Sequence, residues 1–346
     1  MNGKILVAIV TLSVVIASVG SWALHYYVSP SVREQNVSSS SFNVSSRETS
    51  LGSSSSKVSG NWSNHLIFLY NTGGSFTVLG SYEGDSAYSV GEAYTPDATI
   101  FLSPFIWNMK SAAGYVNMTY HGSTLRVNIS MTNFHRISPN INVDGYPGLM
   151  YGQEYWFPFV GSTFQSFLLD LPAKVESLPQ TQSQLSYSLW SYRGSIDDFS
   201  YDIWLTQDPN TTHLSFPDVE IMIWLYHQEQ VTSSYFVPVG SFVVTGIVNG
   251  TSKSLDFSVY VLPHTGNSNG WIGVYYVSQQ QLEGNVTLPL TKMIQASFPF
   301  MKNVFNNISE APYYLNAIQV GMEFNNDSTG AAIMGYYLYN WTIEVQ

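Results

Sequence analysis

Asp218-Val-Glu-Ile-Met-Ile-Trp-Leu225 alternates with a strict period of two. Successive side chains of a β-strand point to opposite faces, so Val219, Ile221, Ile223 and Leu225 share one side and Asp218, Glu220, Met222 and Trp224 the other. The first set is a core face. The second differs from an ordinary solvated strand face rich in Thr, Ser and Lys, because it aligns a carboxylate with a thioether and an indole. Phe199-Ser-Tyr-Asp-Ile-Trp-Leu-Thr206 repeats the pattern, with Tyr201, Ile203 and Leu205 on one side and Asp202 and Trp204 on the other. In Gln319-Val-Gly-Met-Glu-Phe-Asn325, Val320, Met322 and Phe324 point inward while Gln319, Gly321, Glu323 and Asn325 point outward. Three strands therefore each present a carboxylate away from the core, in a chain with only 23 acids among 346 residues. Carboxylates beside aromatic rings are the chemistry that holds a sugar.

Outward from these segments, short strand-like runs recur between turn signals. They cover His65 to Tyr70, Ser75 to Leu79, Thr99 to Leu102, Tyr115 to Tyr120, Thr124 to Ile129, Ser241 to Val248, Leu255 to Leu262 and Trp271 to Val277. Gly73-Gly74, Asn249-Gly250 and Asn269-Gly270 punctuate them as hairpin turns do. One helical window, Leu290 to Val304, carries Met293, Ile294, Ser297, Met301 and Val304 at an approximate 3.6 period, with Pro299 inside it. The class is all-β, a sandwich or jelly roll with one short helix. Trp156 and Trp190 read as core residues.

Residues 1–30 form a signal peptide or an uncleaved signal anchor. Lys4 precedes an apolar run from Ile5 to Leu24, long enough to tether the chain to a membrane, and Ser21-Trp22-Ala23 offers a cleavage site. Residues 31–60 read as a linker, with 12 Ser among the 22 residues from Ser38 to Ser59. Residues 61–346, about 285 of them, suit one large β domain. Eleven Asn-x-Ser/Thr sequons, among them Asn61, Asn117, Asn128, Asn249 and Asn340, agree with a secreted or cell-surface protein.

Charged residues make up 10% of the chain, against the roughly 25% of an average soluble domain, and the net charge is −11. Nucleic acid is excluded as a partner, because phosphate binding needs clustered Lys and Arg and the chain has 12 in all. So few cations also gather little positive charge when carboxylates protonate, which predicts tolerance of strong acid. Zero Cys removes disulfides, thiolate nucleophiles and Cys-based metal sites, so stability rests on packing. The seven His are scattered without metal-ligand spacing on a helix, and neither a metal nor another cofactor is expected. Gly266-Asn-Ser-Asn-Gly270 matches the serine-hydrolase elbow but lies between two strands rather than between strand and helix, and reads as a hairpin loop. Asp197-Asp198 reads as a turn or cap.

These segments resemble glycoside hydrolase family 12, mostly endo-β-1,4-glucanases, over about residues 100 to 346 and in the family's order. Glu220-Ile-Met-Ile-Trp224 is similar to its nucleophile strand, Gly321-Met-Glu323-Phe to its acid/base strand, and Tyr201-Asp-Ile203 to the strand whose aspartate sits beside the nucleophile. Ile106-Trp107-Asn108 and Gly145-Tyr-Pro-Gly-Leu-Met-Tyr-Gly152 resemble its cleft tryptophan region and aromatic loop, and Leu171-Pro-Ala-Lys-Val175 its following strand. Phe324-Asn-Asn-Asp327 departs from the family's loop after the acid/base, and Ser59 to about Asp97 has no counterpart.

The resemblance implies a jelly roll with a concave cleft and hydrolysis with retention, Glu220 as nucleophile and Glu323 as acid/base, with Asp202 sharing a proton with Glu220. Trp107 and Trp224 would stack on sugar rings, and Asn108, Met222 and Tyr146 would line the cleft. The expected substrate is a β-1,4-glucan, acted on by a monomer. Xyloglucanase or xylanase activity on the same fold, or a non-catalytic carbohydrate-binding surface protein, are the alternatives.

Overall fold

A computed structural model describes residues 64–69, 75–84, 91–94, 99–156, 158–231, 235–265 and 270–346. The apolar N-terminal run, the Ser-rich segment, Gly73-Gly74 and residues 266–269 lie outside them, and among the described residues no helix is long and apolar enough to cross a membrane.

Alternating sequence becomes two facing layers of strands. The outer layer runs β2 (Ser75–Gly84), β5 (Met109–His121), β6 (Thr124–Arg136), β18 (Ala332–Val345), β10 (Thr181–Arg193) and β16 (Gly284–Leu288), and β1 (His65–Ile67) also pairs with β18. The inner layer runs β3 (Gly91–Tyr94), β4 (Thr99–Ser103), β7 (Gly148–Glu154), β17 (Tyr314–Asn325), β11 (Ser195–Thr206), β12 (Val219–His227), β15 (Ile272–Ser278), β14 (Thr251–Leu262) and β13 (Val237–Val248). Neighbours are antiparallel except β12 and β15, which run parallel. At the end of β13, Ile247 and Val248 pair with Thr287 and Val286 of β16, which links the layers. This is a β jelly roll. Part of the stretch without a counterpart supplies β1 and β2 to the outer layer and β3 to the edge of the inner one.

The inward faces predicted from period-two patterning form the core. Val219, Ile221, Ile223 and Leu225 are fully buried, as are Val320, Met322 and Phe324. The layers interlock through aromatics: Tyr187 of β10 stacks on Phe199 of β11 at 4.1 Å, Phe199 meets Tyr336 of β18 edge-on at 5.2 Å, and Tyr201 donates its hydroxyl to Ser183 at 2.8 Å. Each fully buried large apolar side chain contributes roughly 1.5–3 kcal/mol. With no cysteine in the chain, that burial holds the fold.

The β13–β14 hairpin turns at Asn249-Gly250, whose φ values of 51° and 77° are the left-handed pair a two-residue type I′ turn requires. The helix α1 (Leu290–Met301) is shorter than its periodic window. Pro299 lacks an N–H and its ring crowds the preceding turn, so the helix stops two residues later. Its buried face bridges the layers through Thr291, bonded to Thr181, and the Met293 carbonyl, which accepts the Tyr276 hydroxyl. The strand expected over Leu171 to Val175 shrinks to β9 (Ala173–Lys174) followed by a 3-10 turn, Val175–Ser177. A second short strand, β8 (Gly161–Ser162), pairs with the end of β7.

Candidate active site

The free face of the inner layer carries the predicted carboxylates. On β11, Asp202 stands opposite Met222 of β12 and Gln319 of β17, and Glu220 of β12 stands opposite Trp204. Four residues earlier on β11, Asp198 stands opposite Glu323 of β17. Glu220 Oε2 accepts the Trp271 indole N–H at 3.1 Å and the Tyr275 hydroxyl at 3.1 Å. No hydrogen bond reaches its Oε1 from the described residues. The carboxylate is pinned through one oxygen and leaves the other available.

Burial raises every carboxyl of this face above its ordinary range, and the groups differ in what opposes that rise. For Glu220, burial is offset by the Trp271 and Tyr275 hydrogen bonds, which favour the ionised form. For Glu323, burial is reinforced by the charges of Asp198, Asp197 and Glu220, and the carboxyl is held well above the usual range. Asp202 is likewise held well up by burial and then by Glu220, Glu154 and Asp198. One face thus separates a glutamate supported as an anion from a glutamate supported as an acid. Environments that push two carboxyls apart in this way assign base and acid roles.

Aromatics flank the acids on both sides. Tyr146, Met222, Trp224 and Tyr275 pack into one cluster with half-buried Trp107 against it. Trp204, Trp156, Met150 and Phe101 form another, joined by Trp271, whose ring meets Trp204 edge-on at 5.4 Å. The Tyr146 ring lies across Gly148 and Gly321, where an added Cβ would come within 2.9 and 2.8 Å of it, and its hydroxyl donates to the Ser200 carbonyl at 3.1 Å. Gly321, between Gln319 and Glu323, is the space that ring needs. Met222, Trp224 and Tyr146 are 4, 6 and 9% exposed, a packed floor, whereas Trp107 offers a partly open surface.

Asn108 is not on that surface. It is fully buried, its amide donates to the carbonyls of Ser138, Ile141 and Val143, and its Oδ1 accepts the Ser138 N–H at 2.8 Å. Its hydrogen-bonding capacity is spent on folding the 138–143 loop. Asp197-Asp198 is neither turn nor cap: both residues lie inside β11, and a bulge at Asp197 turns both acids toward Glu323, with one oxygen of each of the three within 4.8 Å of the others. Trp190 sits half-buried on the outer face over Gly335, and Trp156 is buried in the site's aromatic cluster rather than between the layers.

Glu154 escaped sequence reasoning. It is fully buried at the end of β7, accepts a hydrogen bond from Gln319, and is pushed up to about 8 by burial. Its signal was parity, because Glu154 continues the Met150-Gly152 face of β7. Trp271 and Tyr275 were recoverable in the same way from the β15 alternation. Asp198 shares its parity with Asp202 but lies one residue before the alternating segment, and the bulge obscured Asp197.

A jelly roll whose free face sets two glutamates of opposed proton preference among aromatic rings defines a glycoside hydrolase. The model of glycosyl hydrolase family 12 matches residues 107–346, and the chain belongs to that family. Solved structures share the fold: a family 12 xyloglucanase from Bacillus licheniformis (18% identity, 75% of this chain and 100% of that one, TM-score 0.51) and a metagenome-derived family 12 endoglucanase (18% identity, 79% and 98%, TM-score 0.52). Endoglucanase Cel12A from Rhodothermus marinus is similar at 19% identity over 78% of this chain and 99% of its own, with a TM-score of 0.50. No curated protein sequence matches this chain.

Proposed function

We propose that the chain is a retaining endo-β-1,4-glucanase that cleaves internal bonds of cellulose-like β-glucans by double displacement. The observation that carries the reading is the contrast between Glu220, whose Oε2 takes two neutral donors, and Glu323, surrounded by like charge. Glu220 Oε1 attacks the anomeric carbon as Glu323 passes its proton to the leaving glycosidic oxygen. Glu323, now a carboxylate, takes a proton from water as that water displaces Glu220. Asp202, beside Glu220 and pushed well up by burial and then by that neighbour's charge, tunes its orientation. Trp107 gives the sugar a stacking surface over the floor of Tyr146, Met222 and Trp224.

The N-terminal apolar run and the sequons support work outside the cell, released or tethered, and the sparse charge supports a neutral polysaccharide partner. Xyloglucan is the second reading, supported by the xyloglucanase among similar folds. The test is reducing-end release from soluble β-1,4-glucan, xyloglucan and xylan, beside Glu220→Gln. Activity that vanishes in the variant supports glycosidase action and ranks the substrates. Binding without hydrolysis by folded protein favours a carbohydrate-binding module.

A further inference from the structure

The acid step leaves a problem that the geometry around Glu323 addresses. When Glu323 releases its proton it becomes a carboxylate inside a nest of acids, the worst place for a new charge unless a donor is waiting. Asp198 faces it directly across β11 and β17. It is fully buried, and neither of its oxygens receives a hydrogen bond of ordinary geometry from the described residues, although the Ser200 hydroxyl and Glu323 carboxyl are its neighbours. Asp197, by contrast, is occupied: its Oδ1 accepts the Asn325 amide at 3.0 Å.

We propose that Asp198 is a positioning residue for the acid step, acting as a protonated carboxyl that donates a hydrogen bond to the Glu323 carboxylate formed when the leaving oxygen takes its proton. This rests on the assignment of Glu323 as the acid. Asp198 keeps its own proton throughout. The C1–O bond breaks with its electron pair on the leaving oxygen, Glu323's proton goes to that oxygen, and the new charge on Glu323 is met by the Asp198 O–H.

Burial and the neighbouring like charges favour the protonated form of Asp198, opposed by the Ser200 and Glu323 hydrogen bonds. From its own strand come Asp197 and Asp202, from β17 Glu323, and from β12 Glu220 and its cross-strand partner His227, whose ring nitrogens lie 2.8 and 2.9 Å from the carbonyl oxygens of Glu229 and Ser278. Tyr146, from the segment before β7, is uncharged and turned to the Ser200 carbonyl. The Arg136 charge on β6 acts on Asp197 from a distance, its guanidinium bonded to Asp144 at 2.6 Å. Burial first, and then the Asp197 charge, push the Asp198 carboxyl well up. An ionised pair would set two buried carboxylates side by side; the reactive form instead holds two protons on the pair and none on Glu220. Such coupled groups titrate as a unit, so loss of the pair's first proton sets the alkaline limb of kcat/KM.

The experiment compares kcat/KM against pH for wild type, Asp198→Asn and Asp198→Ala on a soluble β-1,4-glucan, with thermal melts confirming that each folds. An asparagine donates without holding a titratable proton, so Asp198→Asn is expected to move the alkaline limb up by about one pH unit or more. Asp198→Ala is expected to lose about tenfold or more at every pH. An unmoved limb in folded Asp198→Asn overturns the proposal. So does a downward shift, which would mean that Asp198 acts as a charge holding the proton on Glu323. If wild type hydrolyses nothing, the glucanase reading fails by itself. The shared protonation is then read from infrared titration of buried carboxyl bands: a first proton loss in wild type that perturbs both bands while the second proton stays on to higher pH, with one band absent in Asp198→Asn, sustains the pair, and independent titration of the two bands overturns it.

Discussion

The Trp271 indole nitrogen and Glu220 Oε2 lie 3.1 Å apart, a hydrogen bond spanning the parallel junction of β12 and β15. The Tyr275 hydroxyl meets the same oxygen at 3.1 Å. Two donors on one oxygen fix the carboxylate's rotation and lower the cost of its charge.

Removing one of these donors costs rate. Hydrogen bonds to a charged group contribute about 1.5–3 kcal/mol, or roughly 10- to 100-fold in rate. Tyr275→Phe is expected to lower kcat by that range and to move the acidic limb of the pH profile upward, because the bond that helps Glu220 ionise is gone. Steady-state kinetics across pH check both.

Acid should stabilise this protein. Glu154 is pushed up to about 8 and Asp197 to about 6, both chiefly by burial, and Glu323, Asp198 and Asp202 are raised as well. A carboxyl raised in the folded state binds more protons there than in the unfolded chain. Its stabilisation is complete below the unfolded value near 4 and fades as pH rises through the folded one. Tm is expected to climb on acidification from about pH 8 to about pH 4. Calorimetry showing the opposite slope would refute it. Glu154→Gln should flatten the upper part of that slope.

Asn108 is a folding residue. Asn108→Ala strands three carbonyls and one N–H, and about 1–3 kcal/mol of stability is expected to go with them. Chemical denaturation reads the loss, and kcat of the folded fraction at low temperature should stay near wild type.

Gly321 reserves the place of Tyr146. An added Cβ would sit 2.8 Å from its ring carbons, so Gly321→Ala is expected to displace the ring, weaken its bond to the Ser200 carbonyl and raise KM several-fold. Trp107→Ala should raise KM without comparable loss of kcat on the shortest cleavable oligosaccharides, because stacking acts on binding.

Period-two patterning made the inner layer legible. The segments around Asp202, Glu220 and Glu323 each placed a carboxylate outward and aliphatics inward, and their pairing as β12–β11–β17 is the frame of the site. What stayed hidden has a physical cause in each case. The bulge at Asp197 breaks local parity, and no sequence pattern announces a bulge without glycine. Asn108 lies beside Trp107 in the turn before β5, where no strand alternation assigns faces, so proximity to a cleft aromatic pointed the wrong way. The β15 alternation places Trp271 and Tyr275 on one face, but the parallel β12–β15 neighbour relationship joins segments some fifty residues apart, so their role as donors to Glu220 came into view only in three dimensions.

The scarcity of cations gives the cleft an electrical character. Among the described residues no lysine or arginine pairs with Glu220, Glu323, Asp202, Asp198 or Glu154, and Arg136 is tied to Asp144. As pH rises and these raised carboxyls lose their protons, the face becomes a negative well that repels a polyanion more than an uncharged polymer. Carboxymethylated cellulose, a common assay polymer, would meet that field, and added salt would raise turnover of it while leaving an uncharged mixed-linkage glucan unaffected.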